Sequence, residues 1–435
     1  MNRLLKLPLL TLAATAVSVA VPANAQDFII VNAKVATGDG SQPIDNGMVE
    51  VRGGKIVLAG PMPAGAPYET GTVYDVKGAW VTPGIFAAIT DLGLVDVGGV
   101  DESNDTRASR SPFNIALDVS SAINPAAQDI AVSRAGGVTR ASITGSPGGS
   151  IFAGQGAIID LGADPEAITL PRAFQMVVLG ENGARLAGGS RVATNVALRN
   201  ALREASEFAA GNWEGEEALL TRADVAALVP VIGGQQKLYI YVERAADIRA
   251  VLAMRSEFPT LDMVLVGASE GWLVADALAA ANVPVIADAL DDLPASFEQL
   301  AATQSNVGRM VAAGVKVAIG RMTGTEQPRN AVQYAGNLVA LGKVPRATGL
   351  TWGQALASIT SVPAAISGMG GKLGVLAPGA AGDVVIWDGD PLELSSAPVK
   401  VFIDGVEQPV DNHQTRLRER YRDLDESDLP KSYDW

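Results

Sequence analysis

Tyr241 and Glu243 lie two residues apart in KLYIYVER, so an extended backbone puts the phenol and the carboxylate on one face. Such a pair can hold or pass a proton, the core of general acid–base chemistry. The stronger competing reading is an ion-pair cluster, since structural carboxylate–arginine pairs also fill clefts, and Arg321 in KVAIGRMTG is a cation that could close one. Ser146, Ser150 and Ser269 stand in loop-like stretches, but the chain has a single histidine, His413, in the polar run DNHQ. A serine–histidine nucleophile is therefore excluded, and a serine–lysine one survives only on paper because no lysine falls at a predicted strand end. The absence of cysteine removes thiolates, disulfides and sulfur ligands. The glycine-rich stretch GSPGGSIFAGQGA (145–157) lacks the GK[ST] of a phosphate loop and reads as a loop leading into the strand GAIIDL.

The elements that must carry these residues alternate. Strand-like runs recur at 137–144, 173–180, 237–242, 262–267, 284–290 and 316–320, and helical patterns lie between them at 192–211, 245–258, 271–283 and 296–314. Alternation over about 290 residues implies parallel strands joined by helices, and that length suits one (β/α)8 barrel rather than an open doubly wound sheet. The flanks differ. Residues 26–82 read as short strands around a Gly53-Gly54 hairpin turn, and β-character returns in GDVVIWDG and KVFIDGVE. The reading is a TIM barrel at 83–375, with 26–82 and 376–410 joining into one small composite β-sandwich and a charged tail at 411–435. In the tail, Leu417, Tyr421 and Leu424 are spaced to dock a short helix.

Residues 1–25 have the pattern of a secretory signal peptide: Arg3 and Lys6, then LPLLTLAATAVSVAVPA, then Ala23-Asn24-Ala25. Cleavage after Ala25 is expected, and with it a periplasmic location. Losing two basic residues would take the net charge from −14 to −16, which argues against nucleic acid and anionic membrane as partners. No later run of ~20 uncharged apolar residues follows. With 48% apolar residues the chain can build a large core without disulfides.

Four stretches carry a family resemblance in order: PGIFAAITDLG, AGGVTRA, RAADIRAVL with VLVGASEGW, and GGKLGVLAPGAAGDVVIWDGDPLELSSAPVKVFIDG. They resemble the metal-dependent amidohydrolase superfamily, nearest its imidazolonepropionase-like and prolidase-like secreted members. The resemblance implies a water activated by one or two metal ions at the C-terminal strand ends. Carried over residue by residue, the paired histidines of the first strand fall on Ile89 and Asp91, and those of the fifth and sixth strands on Tyr241 and Gly267. The catalytic aspartate of the eighth strand falls on Met322, and Glu181 is the candidate for the bridging position.

Without imidazole or thiolate a zinc site is not expected. A hard cation between Asp91, Glu181 and Glu243, converging at one rim, is the arrangement left. Arg321 opposes it and is expected to pair with one of those carboxylates. No cofactor is therefore expected. The leading expectation is a non-catalytic binding or partner subunit of an active amidohydrolase relative. A small-molecule ligand is possible, and the tail through Tyr433-Asp434-Trp435 offers a contact. The alternative is a metal-independent hydrolase of non-peptide or dipeptide C–N bonds using Asp91, Tyr241 and Glu243. A normal family member with a relocated metal ranks third.

Overall fold

A computed structural model describes residues 25–63, 71–323 and 327–422. The expected leader and the tail positions Leu424 and Tyr433 to Trp435 lie outside the described residues. The described chain begins with β1 (Phe28–Val35), β2 (Ile44–Arg52), β3 (Lys55–Pro61), β4 (Thr72–Asp75) and β5 (Trp80–Pro83). Gly53 and Gly54 make the β2–β3 turn with φ of +53° and +75°, which side chains disfavour.

Nine strands form the barrel: β6 (Ile85–Thr90), β7 (Val138–Ile143), β8 (Phe152–Asp160), β9 (Ile168–Val178), β10 (Lys237–Val242), β11 (Met263–Gly267), β12 (Val285–Ala287), β13 (Val317–Ile319) and β14 (Arg321–Met322). β13 pairs with β12 and β14 pairs with β6, and only Gly320 (φ +109°) separates the two, so they act as halves of one stave that brings the sheet round on itself. The ring is not parallel throughout, as the sequence had suggested. β8 runs antiparallel to both β7 and β9. Its connections, 144–151 and 161–167, are too short for a parallel crossover, which needs a dozen or more residues. The glycine-rich stretch is therefore partly strand, since β8 starts at Phe152.

Helices at Arg191–Ala209, Ala245–Ala253 and Ala275–Ala280 fall where the periodicity put them, while Arg222–Ile232 and Ala331–Leu341 are the longest of those not foreseen. The helix expected over 296–314 shrinks to Asn306–Ala312. Upstream, side chains take the polar groups: Glu270 Oε1 accepts from Ala301 N (3.1 Å) and the Trp272 indole donates to Ala301 O (2.8 Å). The chain then leaves the barrel as β15 (Val384–Trp387), β16 (Pro398–Ile403) and β17 (Val406–Gln408). β15 pairs antiparallel with β5, from Val384 opposite Pro83 to Trp387 opposite Trp80, so the segments before and after the barrel share one eight-stranded sheet. Phe28, Ile30, Val49, Val51, Ile56 and Phe402 fill its core, with Phe28 stacked on Phe402 at 4.3 Å. In the tail, Asn412 caps a helix at His413–Arg420, but none of its residues is buried and Tyr421 is exposed, so the docking expected through Tyr421 is not made.

Buried charge joins barrel to sheet. Arg140 on β7 donates to Asp383 through Nε (2.7 Å) and Nη2 (2.9 Å), and reaches Asp404 at 2.7 Å and Asp160 at 3.9 Å. Burial works against the Arg140 charge, but Asp383, Asp404 and Asp160 together outweigh it and hold its pKa above the ordinary value. For Asp160, burial outweighs Arg140 and pushes the pKa up to about 6 from 3.8. A raised carboxyl pKa stabilises the fold fully below the unfolded value and loses that contribution as pH rises through the folded one. Asp160→Asn should therefore remove a stability gain, at most ~3 kcal/mol, that the wild type acquires between neutral pH and pH ~4. Thermal melts of both proteins across that range check this; parallel curves would contradict it.

Candidate functional site

The barrel interior is apolar. Phe174, Met176, Val178, Tyr239, Val264, Val266 and Ile286 pack inside it, and the Phe174 and Tyr239 rings stack at 4.1 Å. At the C-terminal strand ends, Ile89 and Met322 are buried and Tyr241 is half-buried. The Tyr241 phenol's pKa is raised, first by burial and then by Glu243.

Glu243, just past β10, is 0% exposed. Its Oε2 accepts from Ser269 N (2.8 Å) and lies 2.7 Å from Ser269 Oγ, while its Oε1 makes no hydrogen bond of ordinary geometry although the Tyr241 hydroxyl is close enough to act on it. Ser269 Oγ also lies 3.3 Å from Asp291 Oδ2 and accepts from Gln299 Nε2 at 3.1 Å. A hydroxyl has one proton and cannot donate to both carboxylates at once. Burial raises the pKa of Glu243, with Asp288 adding to it; burial, then Asp288 and Glu243, raises that of Asp291. Ser269 Oγ thus bridges two acids whose pKa values are both raised.

Glu181 is engaged elsewhere. It opens the short helix Gly180–Leu186 and lies 3.4 Å from Arg191 Nη2, a guanidinium that also meets Glu298 at 3.2 Å and Asp247 at 3.2 Å. Asp91 follows β6, half-buried, and its carbonyl accepts from Leu94 N. The expected convergence of Asp91, Glu181 and Glu243 is therefore not made: among the described residues no group of three or more His, Cys, Asp or Glu is placed to hold a metal ion. Arg321 pairs with none of the three either. It donates to Asp288 at 2.9 Å and sits over the Tyr241 ring at 5.2 Å. Burial opposes its charge, but Asp288, Tyr241 and Glu243 outweigh burial and raise its pKa.

Ile89, Gly267 and Met322 offer no nitrogen or oxygen from their side chains, and a Cβ at Gly267, where φ is +88°, would lie 2.5 Å from Glu243 Oε1. The Glu243 carboxylate thus occupies the space a side chain at that position would need. A fixed guanidinium, Arg321, stands at the same mouth.

A cleft of about 460 Å³ opens over Ile89, Met176, Val178, Tyr241 and Arg321, walled by 144–148, Arg107 and Arg185. Sequence reasoning singled out Tyr241 and Arg321 but missed Arg107, Arg185, Asp288 and Asp291. Asp288 and Asp291 had a usable signal, since they follow the β12 run PVIA, where a barrel strand delivers side chains to its mouth. Arg107 and Arg185 had none, because each belongs to a loop or short helix whose position depends on the whole ring.

Residues 234–407 match the family profile described as Amidohydrolase family. Amidohydrolase tasK of Hapsidospora irregularis is 26% identical over 386 residues, covering 80% of this chain but 38% of its own length. Imidazolonepropionase of Caulobacter vibrioides is 36% identical over 70 residues, 15% of this chain and 18% of that protein. The chain thus spans well under half the length of the fungal relative. The crystal structure of an amidohydrolase from Thermotoga maritima superposes with a TM-score of 0.76 at 22% identity, covering 87% of this chain and 99% of that one. The chain is thus similar to amidohydrolases in sequence over its second half and in fold over most of its length.

Proposed function

We propose that the chain is a metal-free binding subunit that works with an active amidohydrolase relative. The observation that carries this reading is the Glu243 carboxylate lodged against Gly267, with Arg321 fixed beside it, in the place where family members would hold metal. Keeping an intact barrel and second sheet around such a mouth supports a role in binding rather than in water activation. The leader-like residues 1–25 support export, so the partner is sought among exported relatives.

The alternative, a metal-independent hydrolase, draws support from the Glu243–Ser269–Asp291 arrangement, which can store a proton. It is the weaker reading, because Glu243 is fully buried and does not line the cleft. Affinity capture of the tagged chain from its native source tests both. The expected result is recovery of a metal-containing relative in near-equal amount. Zinc, manganese and iron should be far below one ion per chain in the isolated subunit, whose melting temperature should not move with chelator. One tightly held metal per isolated chain, or amide hydrolysis by the chain alone in chelator, would overturn the proposal.

A further inference from the structure

The cleft at the barrel mouth is lined by arginines, with carboxylates just beyond it: Asp288 pairs with Arg321, and Glu181 and Glu298 line the adjoining hollow that shares Arg185, Tyr241 and Arg321. Arg107, Arg185 and Arg321 line the cleft itself, and among its described lining residues there is no aspartate or glutamate. This stands out on a chain with 47 acidic and 33 basic residues. Among the described residues neither Arg107 nor Arg185 forms an ion pair. Among the described residues Arg185 donates to the side chain of Asn182, and Arg321, although held by Asp288, keeps a buried Nε without a hydrogen-bond partner.

Arg107 and Arg185 have no carboxylate partner among the described residues, and an anion between them supplies acceptors in the forked geometry arginine favours. The lining between the cations is mixed: Ile89, Met176, Val178 and Leu186 stand beside Thr144, Ser146, Asn182 and Tyr241. Inorganic anions gain nothing from the apolar part of that lining, whereas a hydrocarbon segment does.

We propose that the cleft binds a small organic dicarboxylate. One carboxylate lies at Arg321 beside Tyr241, the other at Arg107 and Arg185, and the hydrocarbon segment covers Ile89, Met176 and Val178. This rests on the reading of the mouth as a binding site and names the ligand class it takes.

Calorimetric titration of the purified chain in chelator tests it, with succinate, glutarate, adipate and pimelate as probes and hexanoate and inorganic phosphate as controls. At least one dicarboxylate should bind about tenfold or more tightly than either control, and the double variant Arg107→Gln/Arg185→Gln should weaken that binding by about tenfold or more. Both arginines are exposed, so the ligand-free melting temperature of the double variant should match the wild type. If no dicarboxylate outbinds hexanoate and phosphate, or if the double variant binds as well as the wild type, the inference is wrong. Discovery of a bound metal or an absent partner would overturn the proposed function and leave this result standing by itself.

Discussion

Arg140→Met is expected to destabilise the protein by about 3–5 kcal/mol, the cost of leaving buried carboxylates without their cation. Asp383 and Asp160 are largely buried beside Arg140, with side chains 2% and 15% exposed, and Asp404 closes the cluster at 34%. Methionine fills similar volume and removes the charge, so the effect measures the lost pairing more than a cavity. Replacing Arg140 and Asp383 together by apolar residues should cost less than the single change, because the removed charge then has a removed partner. The check is the urea midpoint at constant slope. A loss below about 1 kcal/mol for Arg140→Met would mean that barrel and sheet are held by the strand pairing of β5 with β15 and by apolar contact alone.

Gly267→His should be equally damaging, by about 3–4 kcal/mol. The backbone there has φ of +88°, which costs a non-glycine residue about 1–3 kcal/mol, and the new Cβ must displace Glu243. Glu243→Ala in the same chain should return a good part of the loss by vacating the space. The five-fold variant Ile89→His, Asp91→His, Tyr241→His, Gly267→His and Met322→Asp, which restores every ligand type the family resemblance asks for, should bind zinc weakly. Glu243 and Arg321 remain in the way, and new imidazoles hold metal well only when neighbouring groups orient them. Elemental analysis after dialysis decides it; near-stoichiometric zinc with an unchanged melting temperature would show that the mouth can accept a metal without rearrangement.

The barrel was legible because its strands are β-branched runs such as MVLVG, buried along their whole length, and its helices keep a regular apolar stripe. Direction was not legible, since FAGQGAIID has the same pattern whichever way it runs; only the short connections on either side of it reveal the reversal. At the mouth, Tyr241 and Glu243 could be paired from their spacing. The partners Ser269, Asp288 and Asp291 lie 26 to 48 residues beyond Glu243 along the chain, and spacing alone does not say which strand end faces which. The lost half of the expected helix over 296–314 has the same origin: Glu270 and Trp272, from another part of the chain, take up hydrogen bonds that periodicity assigns to the helix itself.

The reversed stave changes the order in which such a barrel can assemble. β7, β8 and β9 form a meander whose neighbours are close in sequence, so pairing them closes only short loops. Every other stave must wait for a helix-length crossover to fold back before it finds its neighbour, and the final contact of β14 on β6 joins residues more than 230 positions apart. Folding should therefore start as an antiparallel ribbon and end at Gly320, with substitutions in β8 slowing the folding rate and substitutions in β14 chiefly speeding unfolding. In a growing chain, that ribbon is complete once Val178 has emerged, and it offers the rest of the ring a template before half of the protein has been made.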